Sequence, residues 1–204
     1  GYDEFINVVN KLGLNIEISV AINGVLRDIL ERFQLVYEKY YQEVKSDVVC
    51  NDLLKYVHFE NTEELSTFLY EEAPMEIFGQ AREKDHNVMH HLVELYKKMP
   101  SDYKLTLVSD DFGRSKSSSL WFLAKYGCCC DEIKFYSISD IDELWEGTDL
   151  FITNDINIIE SKPKNKKLIV IGENMVNSNI DLIKNSLKDL ESFEEILLED
   201  EKIK

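Results

Sequence analysis

A doubly wound α/β fold, a three-layer Rossmann-like parallel sheet with a small helical insert, is what this sequence predicts, and three stretches predict it. Residues 15–30 run from a β-branched strand through a tight turn into an apolar-periodic segment. From residue 103 onward, short apolar runs alternate with helical patterns. Between residues 46 and 100 helical periods recur between breakers, with no strand pattern. The expected division is therefore a core of residues 1–45 and 101–204 around an insert of residues 46–100.

The elements follow in order. Phe5, Val8, Val9 and Leu12 stand at helical spacing and predict a short leader helix over residues 1–12. Ile16, Ile18, Val20 and Ile22 alternate as a strand that Asn23-Gly24 ends. Val25, Leu26, Ile29, Leu30, Phe33, Val36, Tyr37 and Tyr40 recur at helical steps, so a long helix is expected over residues 24–44. In the insert, Asn61 with Glu64 resembles a capping box opening the helix of Leu65, Phe68 and Leu69, which Ala73-Pro74 closes. A short apolar turn at Ile77-Phe78-Gly79 and a helix over residues 85–98 complete it. Leu105–Ser109 then reads as a buried strand, followed by a turn containing Gly113 and a helix that Gly127 stops. Strands are expected at Glu132–Tyr136, Asp149–Thr153 and Leu168–Ile171. Helices are expected at Ile141–Trp145 and Asp181–Leu190, and a terminal helix opens at Ser192. In such a sheet the ligand site lies at the carboxyl ends of the strands, which puts residues 21–24 where chemistry belongs.

Composition narrows the function classes. The 204 residues are 44% hydrophobic, enough for one sizeable core. The 39 acidic against 23 basic residues leave a net charge of −16, which repels nucleic acid and excludes it as an expected partner. No apolar run approaches the ~20 residues of a membrane span. Gly1-Tyr2-Asp3-Glu4-Phe5 is no secretory signal, and Ile6 breaks the myristoylation pattern, so a cytoplasmic, non-secreted protein is expected. Cys128-Cys129-Cys130 lacks the paired spacing of a zinc knuckle, and with Cys50 reads as small reduced side chains. His86, His90 and His91 lack the metalloprotease Glu and make a weak metal candidate.

Ala21-Ile22-Asn23-Gly24-Val25-Leu26-Arg27-Asp28 resembles the first motif of the haloacid dehalogenase-like (HAD) phosphohydrolases, most closely the 5'-nucleotidase branch, which writes Asp-X-Asp-Gly-Val-Leu-X-Asp there. The resemblance implies that the first Asp is the nucleophile, the second the general acid and base, and that magnesium bridges carboxylates and phosphate. Here Ala21 and Asn23 occupy those positions. Val108-Ser109-Asp110 resembles the second motif, with Ser109 as a phosphate ligand; Lys116 and Lys125 are both candidates for the third-motif lysine. Phe151-Ile152-Thr153-Asn154-Asp155 resembles the fourth, with Asn154 replacing one of two magnesium-binding acids. Ser192–Leu197 resembles the family's closing helix, and the insert its cap.

An Ala methyl cannot attack phosphorus, and an amide does not titrate. No catalytic residue and no cofactor are therefore expected, and the degenerate positions Ala21, Asn23 and Asn154 imply a silent fold kept as a structural or protein-interaction component. A larger assembly is its expected setting, and a virion is compatible with the Lys-, Asn-, Ile-, Asp- and Glu-rich composition. The alternative is a Mg2+-dependent phosphatase or 5'-nucleotidase with rearranged chemistry, in which Asp110 or Asp111 replaces the nucleophile and Asp155, Asp110 and Asp111 are the weak metal candidates. A further alternative binds phosphate or nucleotide without cleaving it, through Gly24, Ser109 and Lys116 or Lys125. Phe59, Phe68, Tyr70, Met75, Ile77 and Phe78 are the candidate interface for a protein partner.

Overall fold

A computed structural model describes residues 15–173 and 175–197, together with Gly1 and Glu4. The expected leader helix therefore lies outside the described residues, apart from those two positions. Six parallel strands form the sheet: β1 (Ile16–Ala21), β4 (Tyr103–Ser109), β5 (Glu132–Phe135), β6 (Leu150–Thr153), β7 (Lys167–Ile171) and β8 (Leu182–Lys184). Their order is β5-β4-β1-β6-β7-β8. A two-stranded antiparallel ribbon, β2 (Arg27–Asp28) with β3 (Arg82–Glu83), stands apart from it. The helices are α1 (Leu30–Tyr40), α2 (Thr62–Thr67), α3 (Val88–Lys97), α4 (Ser115–Lys125), α5 (Ile141–Glu146) and α6 (Ile156–Glu160).

β1 lies between β4 and β6, so the chain order reverses on its two sides and a crevice opens beyond its carboxyl end. Register fixes what lines that crevice. Ala21 pairs with Val108, and Val20 with Ile152, so the residues following β1, β4 and β6 emerge at one edge. β1 is buried on both faces, as a central parallel strand should be, and the hydroxyl of its one buried polar residue, Ser19, meets Thr148 Oγ1 at 2.8 Å. The end of α4 matches its sequence signal: Gly127 sits at φ 62°, Gly127 N–H donates to Ala124 O and Cys128 N–H to Leu123 O, the reciprocal pair of a Schellman stop.

Three expectations on elements change. The helix after β1 does not begin near residue 24; residues 22–26 form a turn, Arg27–Asp28 pair with β3, and α1 starts at Leu30, whose N–H is held by Asp28 Oδ1. Val25 and Leu26 are apolar because the turn dips into the sheet's core, a burial that mimics helical spacing. The expected helix over Asp181–Leu190 is instead β8 and a tight turn at Leu187–Asp189. There Leu187 and Leu190 reach the core from a turn capped reciprocally by Ser186 and Asp189, so their spacing does not need a helix. The insert contains α2 and wide one-turn segments at Phe68–Glu72 and Met75–Gly79, and it also closes onto the core through β3, which had no sequence pattern.

Two apolar clusters divide the chain differently from the expected limits of residues 46 and 100. α1 contributes Phe33, Val36 and Tyr37 to the cluster of the insert, while α3 contributes Val88, Met89, Leu92 and Leu95 to that of the sheet. By packing, the second body runs between the two ribbon strands. Phe68, Ile77 and Phe78, expected as interface, are buried inside it, and Phe59 and Tyr70 are half-buried against it. Of that set Met75 alone is exposed, at 39%. Phe59 and Phe68 pack on Phe33 and Tyr37 of α1, and Tyr70 stacks on Phe78.

Candidate active site at the strand ends

The carboxyl ends of β1, β4, β5 and β6 open into a cavity of about 430 Å³, roofed by the insert. Its sheet side presents Ala21, Asn23, Gly24, Ser109, Asp110, Tyr136, Asn154 and Asp155; the insert contributes Leu53, Leu69, Tyr70 and Phe78.

Ala21 ends β1 with a methyl group. The turn after it is built by Gly24, at φ 80°, where an added Cβ would stand 2.2 Å from Asn154 Nδ2. Gly24 N–H donates to Arg27 O at 2.9 Å, so it is not turned to an anion. Asn23 projects into a network. Its Nδ2 donates to Asp110 Oδ1 at 2.9 Å, Ser109 Oγ at 3.2 Å and Asp111 Oδ1 at 3.3 Å, while its Oδ1 accepts from Arg27 Nη2 at 2.7 Å and Nε at 3.0 Å. Only this orientation of the amide satisfies both a donor-only guanidinium and acceptor-only carboxylates.

Arg27, an open position of the motif, is the centre of this network. Beyond Asn23 it donates to Ser119 Oγ at 2.7 Å, Phe78 O at 3.2 Å and Asp111 Oδ2 at 3.1 Å, and it lies over the Phe78 and Phe122 rings at 5.2 and 5.3 Å. The side chains of Arg27 and Asp111 are 0% and 1% exposed. Burial lowers the Arg27 pKa from its ordinary value, and the Asp111 carboxylate works against that. Ser119 Oγ also donates to Asp111 Oδ2. The only hint in the sequence was an arginine directly after the apolar pair Val25-Leu26.

The other side of the cavity is less closed. Asp155 caps α6, accepting from Asn157 N–H at 2.9 Å, and its second oxygen accepts from Tyr136 Oη at 2.8 Å. Burial, then Asp155 and Asp110, raises the Tyr136 pKa. Tyr70 is pushed up to about 12 by burial and the two carboxylates at 110 and 111. Asp110 presents surface to the cavity, yet the protein around it raises its pKa; Asn23 opposes the rise, and Asp111 and Asp155 add to it.

The two lysine candidates do not line the cavity. Lys116 is exposed above the Phe135 ring, and Lys125 donates to Gly79 O at 3.2 Å beneath Trp121. Lys84, an exposed lysine beside β3 that carried no distinguishing pattern, does line it. The histidines are not gathered into a site: His91 Nε2 meets Leu190 O at 2.7 Å. Among the described residues no group of His, Cys, Asp or Glu side chains suited to a metal converges.

No family model and no curated protein matches this sequence. Solved structures do match the architecture. The HAD-hydrolase YfnB from Bacillus subtilis, bound to magnesium, superposes with a TM-score of 0.56 at 9% identity, over 85% of this chain and 96% of that one. The L-2-haloacid dehalogenase from Xanthobacter autotrophicus, with chloropropionic acid covalently bound, gives 0.51 at 10%, over 90% and 98%. A dehalogenase in an intermediate complex gives 0.51 at 13%, over 83% and 92%. The fold is HAD-like. At such identities the likeness concerns the fold alone.

Magnesium, which the HAD-like fold implies, demands oxygen ligands in near-octahedral geometry and at least one or two carboxylates. Ala21 has no side-chain oxygen, Asn23 turns its nitrogen toward Asp110, and Asn154 stands where the resemblance implies an acid, so Asp110 and Asp155, on separate loops, are the acidic side chains left on the sheet side of the cavity. Asn154 Nδ2 donates to Gly24 O at 3.4 Å. These residues do not fit the ion.

Proposed function

We propose that this chain is a catalytically silent HAD-like protein that serves as a structural or protein-interaction component of a larger assembly, a virion being one such setting. The observation that carries this reading is the fate of Asn23. At the position of the general acid and base, its amide is fixed between Arg27 and the carboxylates of Asp110 and Asp111, where it can neither titrate nor turn toward a substrate. Beside it, Ala21 offers no nucleophile.

The rearranged phosphatase or 5'-nucleotidase has one carboxylate left to run on. Asp111 is buried against Arg27 and Ser119, out of reach of a phosphorus atom. Asp110 faces the cavity, but it follows β4 rather than ending β1, and one of its oxygens is held by Asn23 Nδ2. A phosphate or nucleotide binder would keep Ser109 and gain Lys84, without the donors expected from Gly24, Lys116 and Lys125.

Purified protein with magnesium is expected to release no phosphate above background from nucleoside monophosphates or an aryl phosphate. Turnover that survives repurification and disappears in Asp110→Asn would overturn the silent reading.

A further inference from the structure

The insert carries a second cleft, of about 390 Å³, which shares no lining residue with the strand-end cavity. Tyr37 and Tyr41, four positions apart at the carboxyl end of α1, bring their rings to one face, stacked at 5.5 Å. Phe59, from the loop before α2, stands across Tyr41 at 5.1 Å and 87°, so these two rings make a corner. The packing behind the corner is complete. Tyr37 is buried, its hydroxyl accepting from His58 N–H at 2.9 Å, and the buried Phe68 ring meets Tyr41 at 5.5 Å. Tyr41 is nevertheless 47% exposed. Glu60, Glu64 and Glu72 stand around the corner, and neither lysine nor arginine is among the described residues that line it. We propose that this cleft is the docking site for an arginine-bearing basic segment of a protein partner, with the guanidinium against the Tyr41 and Phe59 rings and its charge met by the three glutamates.

Charge and ring geometry select the occupant. An aromatic face attracts a cation, and a guanidinium is the cation that can both stack on a ring and offer a fork of N–H donors to carboxylates. The carboxylates are available to it: among the described residues none of the three forms an ion pair, and all three are exposed, so a side chain can enter from solvent. Glu72 accepts from the Tyr41 hydroxyl at 2.6 Å and Glu64 from Glu60 N–H at 2.7 Å, neutral donors that leave both charges uncompensated. The bond to Glu72, then burial and the charges of Glu72 and Glu64, pushes the Tyr41 pKa up to about 12, the response of a phenol in a negative site. Acidic partners are repelled here, and a second copy of a chain with net charge −16 brings the wrong sign.

The inference rests on the protein-interaction reading and gives it a partner chemistry; its test measures binding and no turnover, so phosphate release decides the silent reading separately. A fluorescein-labelled peptide of alternating Arg and Ser residues is titrated against wild type and two triple variants. One carries Glu60→Gln, Glu64→Gln and Glu72→Gln; the other carries Asp142→Asn, Glu143→Gln and Glu146→Gln, which remove the same charge from exposed positions on α5. Wild type is expected to bind, the cleft variant to bind about tenfold more weakly, and the α5 variant to stay within about twofold of wild type. Tyr41→Leu, which removes the ring face, is expected to weaken binding by about fivefold. No binding by wild type overturns the proposal. So does equal weakening by the two triple variants, which would show a general attraction to an acidic surface, or a Tyr41→Leu variant that binds as wild type does. An alternating Lys and Ser peptide that binds as tightly overturns the guanidinium as the feature recognised, and methylguanidinium alone binding as tightly as the peptide overturns a partner segment as the occupant. If the cleft variant does not fold, Glu60→Lys, which reverses one exposed charge, takes its place against Glu143→Lys in the same comparison.

Discussion

The two halves of the strand-end cleft solve the same electrostatic problem differently. On the half beneath the insert, Asn23, Arg27, Asp111 and Ser119 form a closed set in which the buried charges are opposite and paired. On the half beside α6, Asp110, Asp155 and Tyr136 face the cavity; Asp155 caps the helix and accepts from Tyr136, and Asp110 accepts from the neutral amide of Asn23. The difference separates architecture from opportunity. A buried charge without a partner is intolerable, so the closed half is fixed; the open half is where a ligand could still make contact.

Breaking the closed half should have the largest effect. Arg27→Met strands the Asp111 carboxylate and should cost about 3–5 kcal/mol in denaturant unfolding, whereas Arg27→Met with Asp111→Leu should recover most of that loss. A double variant no better than the single one would mean that the pair's packing, not its charge, is what matters. On the open half, Asp155→Ala removes the α6 cap and leaves the Tyr136 hydroxyl unpaired, for about 1–2 kcal/mol by the same measurement.

The smallest effect is one of pH. The folded pKa of Asp110 is raised, so the folded state holds that proton more tightly than the unfolded chain does. Its contribution to stability is fully present below the unfolded pKa and is lost as pH rises through the folded value. Asp110→Asn should therefore be more stable than wild type at neutral pH, with the gain vanishing in acid. A gain independent of pH would remove titration as its cause.

The same contrast explains what the sequence made legible. β1 and its Asn23-Gly24 turn were readable because strand alternation and a left-handed glycine are local signals, and the resemblance of the motif pointed at the right cleft. The closed half was not readable: Arg27 meets Asp111 across 84 positions, and nothing local distinguishes a buried arginine from an exposed one. Lys84 was missed for the opposite reason, being one more exposed lysine until β3 carries it to the rim. Most of the expected interface is buried or half-buried, because composition counts rings without choosing between packing on the helix after β1 and exposure to a partner. β8 failed because an edge strand with few apolar residues shares its spacing with a helix.

If no side chain in this cleft attacks phosphorus, a reactive phosphoryl donor leaves the protein unmodified. Intact-mass measurement after incubation with an acyl phosphate and magnesium, quenched in acid to preserve an aspartyl phosphate, tests it directly. The predicted result is an unmodified chain; a phosphoryl adduct that maps to Asp110 and is absent from Asp110→Asn would contradict the account.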